Sequence, residues 1–407
     1  MHGRSVLILG TRGIPAAHGG FETFAEHLAL FLVDRGWKVG VYCQDQRAVS
    51  GSRLMTETWR GIDLLHVAVP SEGPLSTLVF DWHCVRDAAR RDAVNLVLGY
   101  NGAAFLPYLR LHGRRVVTNM DGIEWRRAKW GMAAKTWFWT NEWIAAWTSH
   151  RMIADHPAIA DHLATRRARA ATAMIPYGSD MVTDAPVEPV TALGLSPQDY
   201  LVSIARLEPD NSILPMVEGF SRRPRGKKLA VLGNLDPAIP YHRALLDAAG
   251  PEVVFTGGLY DPAQVQALRF HAFTYLHGHT VGGTNPSLVE SLAAGNAVIA
   301  HDNAFNRWTA GAAARFFRTG DEFVAALEAR LAERREPGEV RAIAWREAAR
   351  FDWPSVLGAY EAQLLEQTRP AVAPDREPRP AEASLGRPAA SAGPPPEIAV
   401  PTRGPAE

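Results

Sequence analysis

The stretch Gly278–Ser287, GHTVGGTNPS, with Glu290 one turn further on, combines the residue types that hold a phosphorylated sugar. Small residues let backbone N–H groups approach an anion, and the helix expected to open at Pro286 adds its positive end. Glu290 stands where a carboxylate accepts hydrogen bonds from hydroxyls. The segment therefore suits a nucleotide diphosphate, with amides for the phosphates and a carboxylate for the ribose. A plainer reading makes it a Gly-rich turn before an amphipathic helix, with Thr284 or Asn285 as N-cap and Pro286 in the first helical position.

A second Gly-rich turn of the same kind occurs near the start of the chain. Leu7–Glu22 reads LILGTRGIPAAHGGFE: a strand, then Gly10 and Gly13, then Gly19 and Gly20 opening a long helix. This spacing lacks the dinucleotide fingerprint GxGxxG and counts against a nicotinamide-dependent oxidoreductase. The longer loop lets backbone pass close to a bulky ligand, with Arg12 meeting a phosphate and Glu22 a hydroxyl. The alternative is a tight turn with both side chains solvated. Asp121 and Glu124 follow another candidate strand and could orient an acceptor hydroxyl, Asp121 having helix capping as its rival role. His277 and His279 suggest a shared metal ion, but a third ligand at suitable spacing is missing. No metal is expected; His279 points into a cleft or packs at the strand end.

Positioning these groups requires strands that end where they begin. Apolar runs at Ser5–Gly10, Lys38–Cys43, Ile62–Val67, Asn95–Leu98, Arg115–Asn119, Met152–Ala154 and Ala173–Ile175 alternate with helical periodicity at Phe21–Arg35, Leu75–Arg91, Met132–Trp147 and Ala158–Thr165. Three prolines interrupt the pattern in Asp184–Pro197. It restarts with Tyr200–Ala205, Lys228–Leu232, Glu252–Phe255, Phe273–Leu276 and Ala297–Ala300. Strands separated by helix-length segments imply parallel βαβ units. We expect an α/β chain of two facing Rossmann-like domains, residues 1–183 and 200–350, joined by a linker at 184–199. A last helix spans 351–367. Both Gly-rich turns then lie at the carboxyl ends of strands, where open α/β sheets bind ligands. The tail, 368–407, is rich in Pro, Ala and charged residues and is expected to be disordered.

Composition narrows the classes further. A chain of 407 residues exceeds one ordinary core. Equal numbers of basic and acidic residues, 43 each, argue against a nucleic-acid binder driven by net charge. Two cysteines, Cys43 and Cys84, exclude a disulfide framework and fit a reducing, cytoplasmic setting. No apolar run approaches the roughly 20 residues that span a bilayer. A surface association remains open. Trp125, Trp130, Trp137, Trp139, Trp143 and Trp147 crowd one segment beside Arg126, Arg127, Lys129 and Lys135, a mixture suited to a membrane interface. The competing reading is a large aromatic core helix.

The motifs also resemble a known family. ILGTRGIPAAHGGFETF (Ile8–Phe24), NMDGIEWRRAKW (Asn119–Trp130), IADHPAI (Ile153–Ile159), IPYGSD (Ile175–Asp180), ARLEPDN (Ala205–Asn211) and HGHTVGGTNPSLVES (His277–Ser291) occur in the order seen in the retaining glycosyltransferases of family four, which have the GT-B fold. Within them the chain resembles the bacterial rhamnosyltransferase-like group that builds cell-surface polysaccharides. The resemblance implies a nucleotide-sugar donor, dTDP-rhamnose, held by the second domain and a lipid-linked saccharide acceptor on the first, with no cofactor. It implies that Gly282, Gly283, Thr284, Asn285, Ser287 and Leu288 line the diphosphate and sugar. Glu290 would bind the ribose, Arg206 would clamp a phosphate, and Gly13, Gly19 and Gly20 would form a lip over the donor. Asn211 and His279 fall in the same donor site. The last helix is implied to cross back onto the first domain.

Two positions depart from the wider family. Gly282 replaces the first of two glutamates, and Asn211 or Ser212 replaces a lysine that follows the arginine. Trp308, after Phe305-Asn-Arg, replaces a glutamate of the narrower group and calls the donor-sugar contacts into question. A non-catalytic nucleotide-sugar-binding relative is the rival that these departures motivate.

Overall fold

The computed structural model describes residues 4–16, 19–45, 54–69 and 73–368. Two open sheets organise it. The first runs β1 (Ser5–Leu9), β2 (Lys38–Asp45), β3 (Leu54–Trp59), β4 (Ile62–Ala68), β5 (Val94–Leu98), β6 (Val116–Asn119), β7 (Arg151–Ala154) and β8 (Thr172–Met174), in the spatial order β3-β4-β2-β1-β5-β6-β7-β8. The second runs β9 (Tyr200–Ile204), β10 (Lys228–Leu232), β11 (Val253–Gly257), β12 (Thr274–His277), β13 (Val298–His301) and β14 (Ala314–Phe317), in the order β11-β10-β9-β12-β13-β14. Every neighbouring pair is parallel except β3 with β4. We call the two halves the first and second lobes.

The strands read as near-continuous apolar runs because helices cover both faces. In β1, Val6, Leu7, Ile8 and Leu9 are all buried. Val6 and Ile8 join one core layer, and Leu7 and Leu9 join the opposite one. The helix Gly20–Asp34 buries Phe24, Ala25, Leu28, Ala29 and Leu32 along one stripe. It stops where Gly36 turns to positive φ, so that the Gly36 and Trp37 amides close back on Val33 and Leu32.

Two strands went unread in the sequence. β3 is an edge strand whose polar residues are mostly exposed, and it reaches β4 through a turn with positive φ at Arg60 and Gly61. With one face and one edge in water it carries no apolar alternation. The other, β14, closes the far edge of the second sheet. A short helix, Glu188–Ala192, lies within the stretch read as linker.

Each sheet has one point where the chain reverses the direction in which it adds strands, beside β1 and β9. The turn after β1 and the turn after β12 stand at those points. After the second sheet, the helix Trp353–Thr368 packs against the first lobe, burying Trp353, Val356, Leu357, Tyr360 and Leu364 with Phe24, Leu28 and Leu32. Glu361 accepts from Arg35 (2.7 Å) and from the Trp37 indole (3.0 Å). Asn119, at the end of β6, donates to the Tyr360 hydroxyl at 2.7 Å. The helix thus includes Thr368, and the rest of the tail lies outside the described residues.

Trp353 fills the gap between this helix, His27 and Tyr177, with ring centroids 4.5 and 4.9 Å away. A Cβ on Gly178 would stand 2.2 Å from its ring. We therefore expect Trp353→Ala to cost about 3–5 kcal/mol, seen by calorimetry as a lowered Tm. An unchanged Tm would mean that the helix does not secure the first lobe.

Candidate active site

Many of the residues singled out in the sequence converge on the seam between the lobes, and several of them do work different from that expected. The helix Pro286–Ala293 opens after β12. The Asn285 side chain accepts the Ser287 N–H at 3.0 Å, which makes Asn285 the N-cap. The Asn285 carbonyl accepts the amides of Leu288 (3.1 Å) and Val289 (3.2 Å). Thr284 N–H donates to Asp155 Oδ2 at 2.8 Å, and its hydroxyl donates to the Asp155 carbonyl. The anion-facing set therefore contracts: among the described residues only the amides of Gly282, Gly283 and Asn285 in this run keep no partner. Leu288 is corrected outright. Its side chain is fully buried in the second lobe's core.

Asp155, the first-lobe partner of this turn, lies in the IADHPAI motif. It directly follows β7, and a Cβ on Gly283 would stand 2.0 Å from its Oδ1. A Cβ on Gly122 would stand 3.3 Å from Gly282 Cα, and one on Gly20 would stand 2.8 Å from Pro286. Glycine fits at these positions because the two lobes approach closely there, which is a different reason from room for a ligand. Burial, and the nearby charge of Asp121, push the Asp155 carboxyl well above the carboxylate range.

A charged cluster lies beside the turn. Asp121 follows β6 with φ +52°, and its N–H donates to Asn119 Oδ1 at 2.9 Å. It caps no helix, since the short turn Glu124–Arg126 is preceded by Ile123. Burial and the charge of Glu124 raise its pKa, while Arg127 and Arg206 pull it back. Glu124 is already committed, to Arg127 Nε at 2.9 Å and the Trp130 indole at 2.9 Å. Asn211 donates to the Arg206 carbonyl at 2.8 Å, which orients its amide so that Oδ1 faces His279 Nδ1 at 2.6 Å. That hydrogen bond assigns the proton to Nδ1 and leaves Nε2 as an acceptor. Burial and the cations Arg127 and Arg206 push His279 down to about 3, so the ring is neutral. Arg206 itself is exposed, 3.7 Å from Glu208.

Glu290 is not free. Its Oε2 lies 2.6 Å from Arg269 Nη2, a guanidinium that is 9% exposed and also reaches Ser287 Oγ at 3.3 Å. Arg269 sits on the helix Pro262–His271, and nothing in its sequence context signalled it. The Ser287 hydroxyl lies 2.6 Å from that of Tyr275 and 3.2 Å from the Ile204 carbonyl. On the N-terminal lip, Glu22 is buried and accepts the Arg12 N–H at 3.2 Å. It shapes the loop, a correction to the acceptor role expected of it. Arg12 is exposed. Gly13 packs against Cys43, 2.8 Å from a built Cβ, and Gly19 against Glu22.

Three other features are placed by the structure. His277 is buried beside His279, ring centroids 6.0 Å apart, and the described residues contain no group of three or more His, Cys, Asp or Glu placed to share an ion. Trp308 stands between the lobes, 4.6 Å from the His156 ring and 5.6 Å from Phe351, so its place is in interlobe packing. The tryptophan segment divides. Trp125 donates to Glu142 (3.0 Å) and Trp130 to Glu124, whereas the helix Met132–Thr148 buries Asn141, Glu142, Ala145 and Ala146 and turns Trp139 (46% exposed) and Trp147 (64%) to solvent.

Comparison with known proteins agrees with this architecture. Residues 3–180, less than half of the chain, match a family model described as a domain of unknown function, DUF1972. No curated protein sequence matches the chain. Among solved structures, a sucrose-phosphate synthase from Thermosynechococcus elongatus is similar with a TM-score of 0.72 and 16% identity, over 90% of this chain and 99% of that one. HepE from Anabaena, in complex with UDP and glucose, is similar with a TM-score of 0.69 and 15% identity, over 89% and 100%. An α,α-trehalose 6-phosphate synthase from Burkholderia multivorans gives 0.68 and 12%, over 90% and 97%. The fold is GT-B.

The Asp155 carboxyl offers a test of the seam. Held above its ordinary value, it keeps its proton in the folded state to higher pH than in the unfolded one. The native state then binds more protons, and stability falls as pH climbs from the ordinary carboxylate range through the raised value. Asparagine still accepts from Thr284 but cannot ionise. We expect the Tm of Asp155→Asn, relative to the unaltered chain, to rise as pH increases above about 4. A Tm difference independent of pH would contradict the buried carboxyl.

Proposed function

We propose that the chain is a glycosyltransferase that moves a sugar from a nucleoside diphosphate donor to an acceptor bound by the first lobe. One observation carries this reading. At the facing switch points of the two sheets, the unpartnered amides of Gly282 and Gly283 stand with the cation Arg206, the neutral acceptor His279 and the carboxyl of Asp121. Similarity in fold to HepE, whose structure holds UDP and glucose, supports it. By the resemblance of its motifs, the donor is dTDP-rhamnose and the acceptor a lipid-linked saccharide of cell-surface polysaccharide synthesis.

The chemistry follows from that inventory. In a front-face, retaining displacement the acceptor oxygen bonds to the anomeric carbon on the side from which the diphosphate departs. The acceptor's proton passes to the leaving phosphate oxygen. Catalysis then consists of alignment and of stabilising charge on the departing group. Arg206 and the two glycine amides supply that stabilisation without a divalent metal. Asp121, kept above the usual carboxylate range, orients the acceptor hydroxyl. Arg269 holds Glu290 for the donor ribose. A non-catalytic relative, the alternative raised by Gly282 and Asn211, would bind donor without turnover.

A lipid-linked acceptor needs access to a membrane surface, and the helix Met132–Thr148 is built for one. It hides its small and polar residues and exposes Trp137, Trp139 and Trp147, with Met132 exposed at its start and Leu111 on the neighbouring helix. Lys135 lies on this helix and Arg110 donates to its Thr148 carbonyl, while the helix's one carboxylate, Glu142, is buried against Arg166 and His162. We propose that this face rests on the cytoplasmic leaflet.

With the donor found by screening UDP-, GDP- and dTDP-sugars for turnover, we expect Arg206→Ala to lower kcat by about 10²–10³ and Glu290→Ala to raise the donor KM. Unchanged kinetics in both would remove the assignment. The surface is tested separately. Cosedimentation with anionic vesicles should be lost in the Trp137→Ala, Trp139→Ala double variant, and binding that persists unaltered would refute it.

A further inference from the structure

The donor's pyrophosphate carries two negative charges and gains a third as it departs, yet among the described residues the second-lobe cation whose charge acts on both Asp121 and His279 is Arg206. Asn211 is neutral and locked between the Arg206 carbonyl and His279. Arg269 is spent on Glu290 and Ser287. The missing charge is on the other lobe. Glu208 Oε1 lies 3.7 Å from Arg206 Nη1, while its Oε2 lies 3.4 Å from Lys129 Nζ of the first lobe. One anion thus already bridges cations from opposite sides of the seam. All three side chains are reached by water, so the bridge contributes little and is readily exchanged. A phosphate, with more charge and three acceptor oxygens, is the better occupant.

Arg127 stands two residues before Lys129 in the same loop. It is mostly buried, and Glu124 holds it from behind through Nε at 2.9 Å. Its terminal nitrogens donate no hydrogen bond among the described residues. The loop is anchored from below, where Tyr100 takes the Glu124 N–H at 2.8 Å, and from the side, where Gly122 abuts Gly282. We infer that Arg127 and Lys129 are the first lobe's half of a cation clamp, completed by Arg206, whose ligand is the β-phosphate of a nucleoside diphosphate. The field of Arg127 on both His279 and Asp121 is consistent with that placement. The clamp assembles only when the lobes meet, which ties full charge neutralisation to closure. This inference rests on the glycosyltransferase reading and adds the source of the second charge.

The test compares diphosphate with monophosphate. Calorimetric titration of the full chain with UDP, dTDP and GDP, and with UMP, dTMP and GMP, gives an affinity ratio that isolates the β-phosphate. Arg127→Gln and Lys129→Gln should each lower that ratio about tenfold, with monophosphate affinity nearly unchanged. Arg127→Lys should restore most of it, and Glu208→Gln, which removes the competing carboxylate, should raise it. A purely structural role would weaken both nucleotides alike and leave the ratio intact, and that result overturns the clamp. If the unaltered chain binds diphosphates but neither glutamine variant shifts the ratio, the clamp alone falls. If the unaltered chain binds none of the six nucleotides, the donor reading fails and takes the clamp with it.

Discussion

Close approach of the two lobes at the seam governs this molecule. Gly122 stands against the Gly282 backbone, Gly20 against the Pro286 ring and Gly283 against the Asp155 carboxyl. A Cβ on Gly20 or Gly283 would force its neighbour to shift, and one on Gly122 would sit tightly, 3.3 Å from Gly282 Cα. The groups capable of chemistry belong to opposite lobes, so their arrangement is a consequence of how tightly the lobes close.

That closure is polar as well as steric. Asp155 inserts a carboxyl from the first lobe into the amides of the second, taking the Thr284 N–H. Lys129 and Glu208 add an ion pair across the seam, and Trp308 and Phe305 meet His156 edge to face. The buried Asp155 contact specifies register more than it adds stability, and the solvent-reached ion pair contributes little. Apolar burial does the holding: the helix Trp353–Thr368 lies on the first lobe although it follows the second in the chain, and it fastens β6 through Asn119 and Tyr360. The strand that presents Asp121 is therefore buttressed by the helix Trp353–Thr368.

The same geometry divides the labour between anion binding and positioning. Most helix-opening amides after β12 are consumed internally, by Asn285 and by Asp155. Charge on a leaving diphosphate then depends on a few glycine amides and on cations that must be brought together. His279 stays neutral because burial and then two guanidiniums oppose its protonation, and Asn211 fixes its tautomer. An uncharged ring beside a reacting centre accepts a hydrogen bond without adding charge.

Periodicity and motif order in the sequence determined the α/β class, the two parallel sheets and the two Gly-rich turns, because buried parallel strands and their intervening helices leave a repeating apolar signature. The polar edge strand Leu54–Trp59 left none, being half in water. The sequence also singled out Asp121, His279 and Glu290 by their places after strands and in the Gly-rich turn, and Arg206 by family resemblance. Only the tertiary structure decided what each of them meets. Arg269 as the partner of Glu290, Asp155 in the turn, Glu22 turned inward, Leu288 in the core and tryptophans facing out of the helix Met132–Thr148 are all long-range outcomes. They depend on which lobe surface faces which, and sequence spacing carries no record of a contact formed by closing two sheets against each other.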